Sequence, residues 1–268
     1  MRTAFVCGTF LWVAVFVLGM PATAQNSPAG QRPRQGNQPA GNPPQQGRGR
    51  PSGPIAGPPH DAHDLTGVWN MRGGGGQGGF GRVDPNMTAW GEQQYKLQKS
   101  SNGGQYTLQE TNDPVITKCF PPGVPRIYLQ PFPLQIVQTP KEVIFLYEYD
   151  HTARHIFTDG RKHPDDVTPT YMGDSIGHWE GDTFVVDTVG FNEKTWLDRI
   201  GHSHSDQLHV IERFQRVNLN DLELDVSMED PKALATPWNV HLQFQLHPDW
   251  TIAEQVCADN GDFVSFEK

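Results

Sequence analysis

Apolar and polar residues alternate along most of the chain after residue 140, which is the pattern of a half-buried β-strand. In one such stretch Leu222, Leu224, Val226 and Met228 fall on one face, and acidic or hydroxyl side chains fall on the other. The same period of two predicts consecutive strands at 142–150, 154–158, 175–180, 182–190, 206–217, 221–229, 239–247 and 251–257, with shorter strands at 64–70 and 134–138. The sequence therefore predicts nine or ten strands in an all-β domain.

Turn residues separate several of these strands. Asp159-Gly160, Glu180-Gly181 and residues 218–221 are typical of hairpin turns, which join antiparallel neighbours. An antiparallel up-and-down barrel of about 8–10 strands closes such a meander without exposed edges. A two-sheet β-sandwich is the alternative fold.

One short N-terminal helix is predicted at residues 86–100. Thr88 is placed to cap it, Trp90 and Leu97 lie on one side, and Tyr95 is close to that side.

The N-terminal residues 1–24 have the features of a signal peptide. Arg2 precedes a long apolar stretch, and Ala-Thr-Ala before Gln25 fits a cleavage site. The apolar stretch is short for a membrane span, so we expect secretion without stable membrane insertion. This predicts a periplasmic or secreted protein.

Residues 25–60 are rich in proline, glycine and glutamine and carry four arginines but no acid. Such a composition predicts a disordered linker rather than a folded segment. The remaining residues 61–268 form a single predicted domain, and they hold a net charge of −14 once Arg2 and the linker arginines are subtracted from −9. An acidic domain argues against nucleic acid as a partner. The basic linker is expected to act as a spacer, with anchoring to anionic envelope polymers as the alternative.

Two cysteines remain after signal cleavage, Cys119 and Cys257. In an oxidising compartment such a pair most often forms a disulfide. Two separate buried thiols are the alternative.

Two resemblances extend this picture. The Gly67-x-Trp69 pair on the first strand resembles the start of lipocalin (calycin) barrels, in which tryptophan plugs the barrel base. Most of 64–258 is similar to an uncharacterised family of secreted proteins of soil bacteria, through segments such as HIFTDGRKHP, HWEGDTFVVDTVGF and GHSHSDQLHVIERF. The second resemblance implies an exported β-barrel and implies no substrate.

Histidines and an aspartate alternate in the segment His202-x-His204-x-Asp206. On an extended chain these side chains share one face, where Asp206 could orient a histidine for acid–base catalysis, with His155 from another strand. The same residues suit a transition metal, with His155 or His151 as a further ligand, although no cofactor is predicted from this pattern alone. A loop whose side chains bond only to nearby backbone is the third interpretation.

Charged residues on the central strands are candidates for ligand binding. Arg154 or His155 must face the barrel interior, and a buried charge there requires a partner such as Glu148, Asp187 or Glu212. A ligand-binding Arg154 or Arg161 and a structural ion pair are the two alternatives for this region.

The connection 189–206 is long for a hairpin loop, and long connections often form binding lids. Its aromatic residues Phe191 and Trp196 are predicted to cover a pocket mouth. The first functional hypothesis is therefore a lipocalin-like barrel that binds a small organic molecule in a polar-rimmed pocket. The alternatives are an enzyme (a lyase, isomerase or hydrolase acting on a polar, carbohydrate or phenolic compound) and a structural envelope protein.

Overall fold

A computed structural model describes residues 59–73, 79–81 and 84–257. The predicted signal peptide and nearly all of the predicted linker lie outside these residues. Nine strands form a closed barrel in sequence order, in which the last strand pairs with the first. The strands are β1 Gly67–Met71, β2 Leu134–Gln138, β3 Glu142–Tyr147, β4 Ala153–Phe157, β5 Asp174–Glu180, β6 Thr183–Val189, β7 His209–Arg216, β8 Asp221–Glu229 and β9 Trp238–Leu246.

The predicted barrel is confirmed, and the alternating pattern explains its interior. The apolar face of β8 is buried, and Val240, Leu242 and Phe244 of β9 are buried on the neighbouring strand. Polar residues between them, such as His241, face solvent. Closure follows from the antiparallel pairing of β1 with both β2 and β9.

The barrel differs from an up-and-down meander at one pair of strands. β4 and β5 run parallel and pair at only two positions, Ile156 with Ser175 and Phe157 with Ile176. The expected hairpin at Asp159-Gly160 is therefore wrong, because residues 158–173 form a crossover connection instead. Parallel neighbours require a connection of about a dozen residues or more, and this segment has that length.

The predicted strand at 251–257 is also wrong. β1 already occupies the free side of β9, so no barrel edge is left for a tenth strand. Within this segment Gln255 forms one isolated bridge with Tyr149.

Three helical segments of the described residues are not part of the barrel sheet. α1 is Ala89–Leu97, α2 is Pro114–Thr117, and a 3-10 turn covers Arg126–Leu129. The predicted helix is confirmed in α1, where the Thr88 hydroxyl oxygen accepts a hydrogen bond from the Gly91 N–H at 3.1 Å. The same hydroxyl donates to the carbonyl of Lys232 at 2.6 Å, which fixes the start of α1 beside the loop that leads into β9.

Side chains fill the barrel interior. Buried rings from the strands meet there, and the 3-10 turn adds Tyr128, which lies 5.8 Å from Phe244 and 6.3 Å from Phe214 between ring centroids. Trp69 of β1 is fully buried, and its indole N–H donates to the carbonyl of Leu65 at 2.8 Å. The interior is therefore a packed core rather than the open cup expected of a lipocalin-like pocket.

Cys119 and Cys257 form a disulfide, with their Cα atoms 5.6 Å apart. This bond joins the loop after α2 to the segment after β9. No helix in the described part of the chain has the length and apolar character needed to cross a membrane.

Candidate functional site

Arg154 lies in the barrel interior and forms an ion pair with Glu212, one of the three predicted partners. Its guanidinium also donates to Tyr128 at 3.0 Å, to Ser175 at 3.1 Å and to Thr188 at 2.8 Å. Burial alone would lower the pKa of Arg154, but the charge and hydrogen bonds of Glu212, together with the neighbouring Tyr128 and Tyr147, outweigh it and hold that pKa above its usual value. The geometry is that of a structural ion pair.

The tyrosines around this pair remain protonated. Burial, and then the charge of Glu212, raise the pKa of Tyr128 well above its usual value, and its hydroxyl donates to Glu212 at 2.6 Å. Burial raises the pKa of Tyr147 to about 12.

The other two predicted partners of Arg154 lie outside the barrel. Glu148 follows the end of β3, and its carboxylate accepts a hydrogen bond from the Ala253 N–H at 2.8 Å. Asp187 faces outward on β6, with its carboxylate 2.8 Å from His209 and 3.4 Å from His163. Asp187 faces outward because side chains alternate along a strand and the inward positions of β6 are the even-numbered ones.

His155 and Arg161 are also on the outer surface. His155 faces away from the interior on β4 and lies 2.9 Å from Glu142. Arg161 donates to Asp159 two residues earlier, and these hydrogen bonds lower the pKa of Asp159 to about 2. Its guanidinium covers the Phe157 ring at 3.8 Å. The structure therefore does not bring His155 to the histidine pair of the 189–206 loop.

His202, His204 and Asp206 do not share one face. The expectation assumed an extended chain, but β7 begins only at His209, and the Asp198 carboxylate turns the preceding backbone. One Asp198 oxygen accepts three backbone N–H bonds, from residues 200, 201 and 202, at 3.0–3.2 Å. As a result the two imidazoles contact different residues, and Asp206 is exposed.

His202 is buried in an aromatic setting with an acidic partner. Its Nδ1 lies 2.6 Å from the second Asp198 oxygen, and both side chains are almost fully buried. Its ring stacks on Tyr95 of α1 at 4.6 Å and meets the edge of Trp238 at 5.4 Å. Among the described residues none forms a hydrogen bond with its Nε2.

His204 is buried without a carboxylate contact. Its Nε2 lies 3.3 Å from the Thr195 hydroxyl, its Nδ1 lies 3.0 Å from the Ser205 carbonyl, and its ring meets the edge of Phe191 at 6.2 Å. Burial lowers the pKa of His204, so the neutral form is favoured. Within residues 59–73, 79–81 and 84–257, no group of three or more His, Cys, Asp or Glu residues is arranged to hold a metal ion.

The aromatic residues of the predicted lid belong to the core. Phe191 is 1% exposed and Trp196 is 4% exposed, so neither covers a pocket mouth. Trp196 packs instead under the Arg126 guanidinium, 5.3 Å from its ring centroid. Arg126 in turn pairs with the buried Asp113 at 2.5 Å.

A cleft of about 680 Å³ lies beside the His202 turn, between α1 with its following loop and Ile200. We call it the α1 cleft. Its hydrogen-bonding side chains include those of Asp84, Tyr95, Gln98, Asn102, Gln105 and Tyr106. Tyr95 separates the cleft from His202, and no described residue accepts or donates a hydrogen bond at its hydroxyl. Partial burial and then the Asp198 charge raise the pKa of Tyr95, which keeps that hydroxyl protonated.

Two residues of this site were missed by the sequence reasoning, Asp198 and Tyr95. Asp198 lies four positions before His202, a spacing that brings side chains together on a tight turn as well as on a helix. Tyr95 was interpreted only as part of a helix face. The sequence contains the Asp198–His202 spacing and the position of Tyr95 on the helix, but neither feature indicates that α1 packs on the 198–203 turn.

Comparisons with protein-family models, with curated proteins and with solved structures found no match to this chain.

Proposed function

We propose that this protein binds a small hydroxylated organic molecule, of the carbohydrate or phenol class, in the α1 cleft. The observation that carries the proposal is the cleft itself, whose volume of about 680 Å³ falls in the range of small-molecule sites. Buried side chains of the described residues pack together in the barrel interior, which favours the α1 cleft over the interior as the site.

The lining of the α1 cleft supports this ligand class. Amide and phenol groups both donate and accept hydrogen bonds, which matches the hydroxyls of a polyol or a catechol. The Tyr95 hydroxyl has no protein partner among the described residues, so a ligand oxygen would satisfy it. The rings of Tyr95 and Tyr106 add flat apolar surfaces against which a sugar or phenol ring can pack.

Titration calorimetry with N-acetylglucosamine, maltotriose and catechol tests this proposal. Tyr95→Phe removes only the hydroxyl and retains the ring that stacks on His202. We expect it to weaken binding of whichever compound binds by about 2–13-fold, the effect of losing one neutral hydrogen bond of about 0.5–1.5 kcal/mol. Tyr171→Phe, which lies outside the α1 cleft, is the matched control and should bind as the wild type does. Absence of binding by all three compounds, or equal affinity in Tyr95→Phe, would contradict the proposal.

A second candidate function, acid–base catalysis, is favoured by the buried Asp198–His202 pair. Asp198 orients the imidazole through Nδ1, which leaves Nε2 as the nitrogen for proton transfer. A lyase, isomerase or hydrolase would require the Tyr95 ring to move, since His202 is only 2% exposed beneath it. Turnover that disappears in His202→Gln, while the variant remains folded, would support an enzyme.

Export from the cytoplasm is part of the proposal. The disulfide supports it, because structural disulfides persist in oxidising compartments. The membership of a soil-bacterial secreted family, inferred from resemblance, is likewise proposed.

A further inference from the structure

A second cleft, of about 480 Å³, opens where β4 and β5 separate. β4 pairs with β5 only through its last two residues, and their partners on β5 are Ser175 and Ile176 near the start of that strand. The rest of the two strands is not paired with each other. Residues 150–155 and 170–175 supply most of the lining. We call this the junction cleft. It is separate from the α1 cleft, with which it shares no lining residue.

Asp150 stands in the lining of the junction cleft at a position that several contacts fix. It and His151 form the tight turn between β3 and β4, with φ values of 49° and 48°. The Asp150 N–H donates to Gln255 at 2.6 Å, and its carboxylate accepts from the Cys257 N–H at 3.3 Å. Since Cys257 is bonded to Cys119, the disulfide holds this segment against the turn.

The charges in the junction cleft leave Asp150 without a cationic partner. Arg154 lines the cleft, but its charge is neutralised by Glu212 in the interior. His155 is paired with Glu142. The second lining carboxylate, Asp174, already lies 2.6 Å from His163, whereas no described residue forms an ion pair with Asp150.

Apolar groups complete the walls. Phe157, Tyr171 and Met172 line the same cleft. The Arg161 guanidinium covers the Phe157 ring, so the apolar walls for a ligand are Met172 and Tyr171, whose ring centroid lies 5.9 Å from the Lys194 ammonium. Aromatic faces and methionine sulfur both favour contact with an organic ring, and aromatic faces also attract cations. One fixed unpaired carboxylate beside such walls matches an ammonium group carried on an apolar body.

We propose that the junction cleft is a binding site for an organic amine, with its ammonium on Asp150 and its apolar body on Tyr171 and Met172. The site and its ligand class are independent of the α1 cleft and of the hydroxylated ligand proposed for it.

Calorimetric titration of the full chain with 2-phenylethylamine, 2-phenylethanol and 3-phenylpropionate tests this site. These probes share a phenyl ring and differ in charge. We expect the amine to bind at least about ten-fold more tightly than the alcohol, since a hydrogen bond to a charged group is the stronger kind, and the anion to bind least. Failure of the wild type to bind the amine, or equal binding of amine and anion, would overturn the proposal.

Asp150→Asn provides the matched variant, because asparagine retains the acceptor for the Cys257 N–H and tolerates a positive φ. It should lower amine affinity about ten-fold and leave the alcohol unchanged. Asp249→Asn makes the same charge change at an exposed position outside the lining and should bind the amine as the wild type does. Equal loss in both variants would mean only a general charge effect and would overturn the proposal.

Two further variants keep the result decisive. If Asp150→Asn does not unfold cooperatively, Tyr171→Leu takes its place and must weaken amine binding, while Trp250→Leu, at an exposed position outside the lining, does not. Tyr95→Phe should leave amine binding unchanged. A failure at the α1 cleft and a failure at the junction cleft are thus separate outcomes.

Discussion

Two of the buried acid–base pairs, Arg154–Glu212 inside the barrel and Asp198–His202 beside α1, differ in what remains of their hydrogen-bonding capacity. The Arg154 guanidinium has five N–H donors, and it makes five hydrogen bonds to protein acceptors. His202 uses Nδ1 on Asp198 and has no described partner at Nε2. The Arg154–Glu212 pair, whose donors are all used, therefore stabilises the fold. The Asp198–His202 pair keeps one imidazole nitrogen, beside the α1 cleft, that could take part in proton transfer.

The largest effect is expected when the Arg154–Glu212 pair is broken. Glu212→Gln leaves the Arg154 charge buried and uncompensated, which should lower the free energy of unfolding by about 3–5 kcal/mol. Urea denaturation measures the loss. Glu180→Gln, which removes a half-exposed carboxylate from Arg213, is the control and should cost less than about 1 kcal/mol.

The double variant Arg154→Met with Glu212→Leu sharpens this result. It removes both charges together, so we expect it to be more stable than Glu212→Gln alone. A double variant that is less stable would mean that the ion pair itself, rather than avoidance of a lone buried charge, holds the barrel together.

A conservative substitution in the Asp198–His202 pair should lower the free energy of unfolding by less. Asp198→Asn can still accept the three backbone N–H bonds but loses the charged contact with His202, so we expect a loss of about 1–3 kcal/mol. Asp198→Ala also removes the backbone acceptor and should lose more, as measured by the same urea titration. Equal losses in the two variants would show that the His202 contact alone accounts for the stability.

The smallest effect concerns pH and the neighbouring His204. Burial lowers its pKa in the folded state, so below about pH 6.5 the unfolded chain binds a proton that the folded chain does not. Stability should therefore fall as the pH is lowered from about 6.5 toward the folded-state pKa. His204→Gln should lose less stability over this interval than the wild type, as measured by unfolding at two pH values.

His241→Gln is the control for that measurement, because His241 is exposed on β9. Its stability should follow the pH dependence of the wild type. If His204→Gln does so as well, another group accounts for the acid sensitivity.

Much of the barrel could be predicted because alternation is a local signal. The alternation of apolar and polar residues within each strand shows which side faces the core, as in β8 and β9. Turn residues such as Gly181 show where the chain reverses. The alternation within a strand does not predict which other strand it pairs with. The parallel β4–β5 pair and the occupied edge of β9 depend on contacts between distant segments, so the expected hairpin at Asp159 and the strand at 251–257 were wrong.

The site was harder to predict for the same physical reason. Side-chain alternation along β4 places Arg154 inside the barrel and His155 outside it, so Glu212 could be predicted as a partner of Arg154. The direction of His202 depends on a turn that Asp198 builds from three backbone bonds, and such a turn has no fixed period. Interpreting the GHSHSD segment as extended placed His202, His204 and Asp206 together, whereas the turn separates them.

The pairing of β1 with β9 has a consequence for how the chain reaches its native state. It brings Trp69 beside Leu246, so the barrel cannot close until the last strand has been synthesised and ordered. The hairpins from β5 to β9, which join near neighbours in the chain, are expected to form first, since loop-closure entropy penalises distant contacts. Until closure the edge of β1 that faces β9 remains unpaired, and we expect its pairing with β9 to be the slow step of folding.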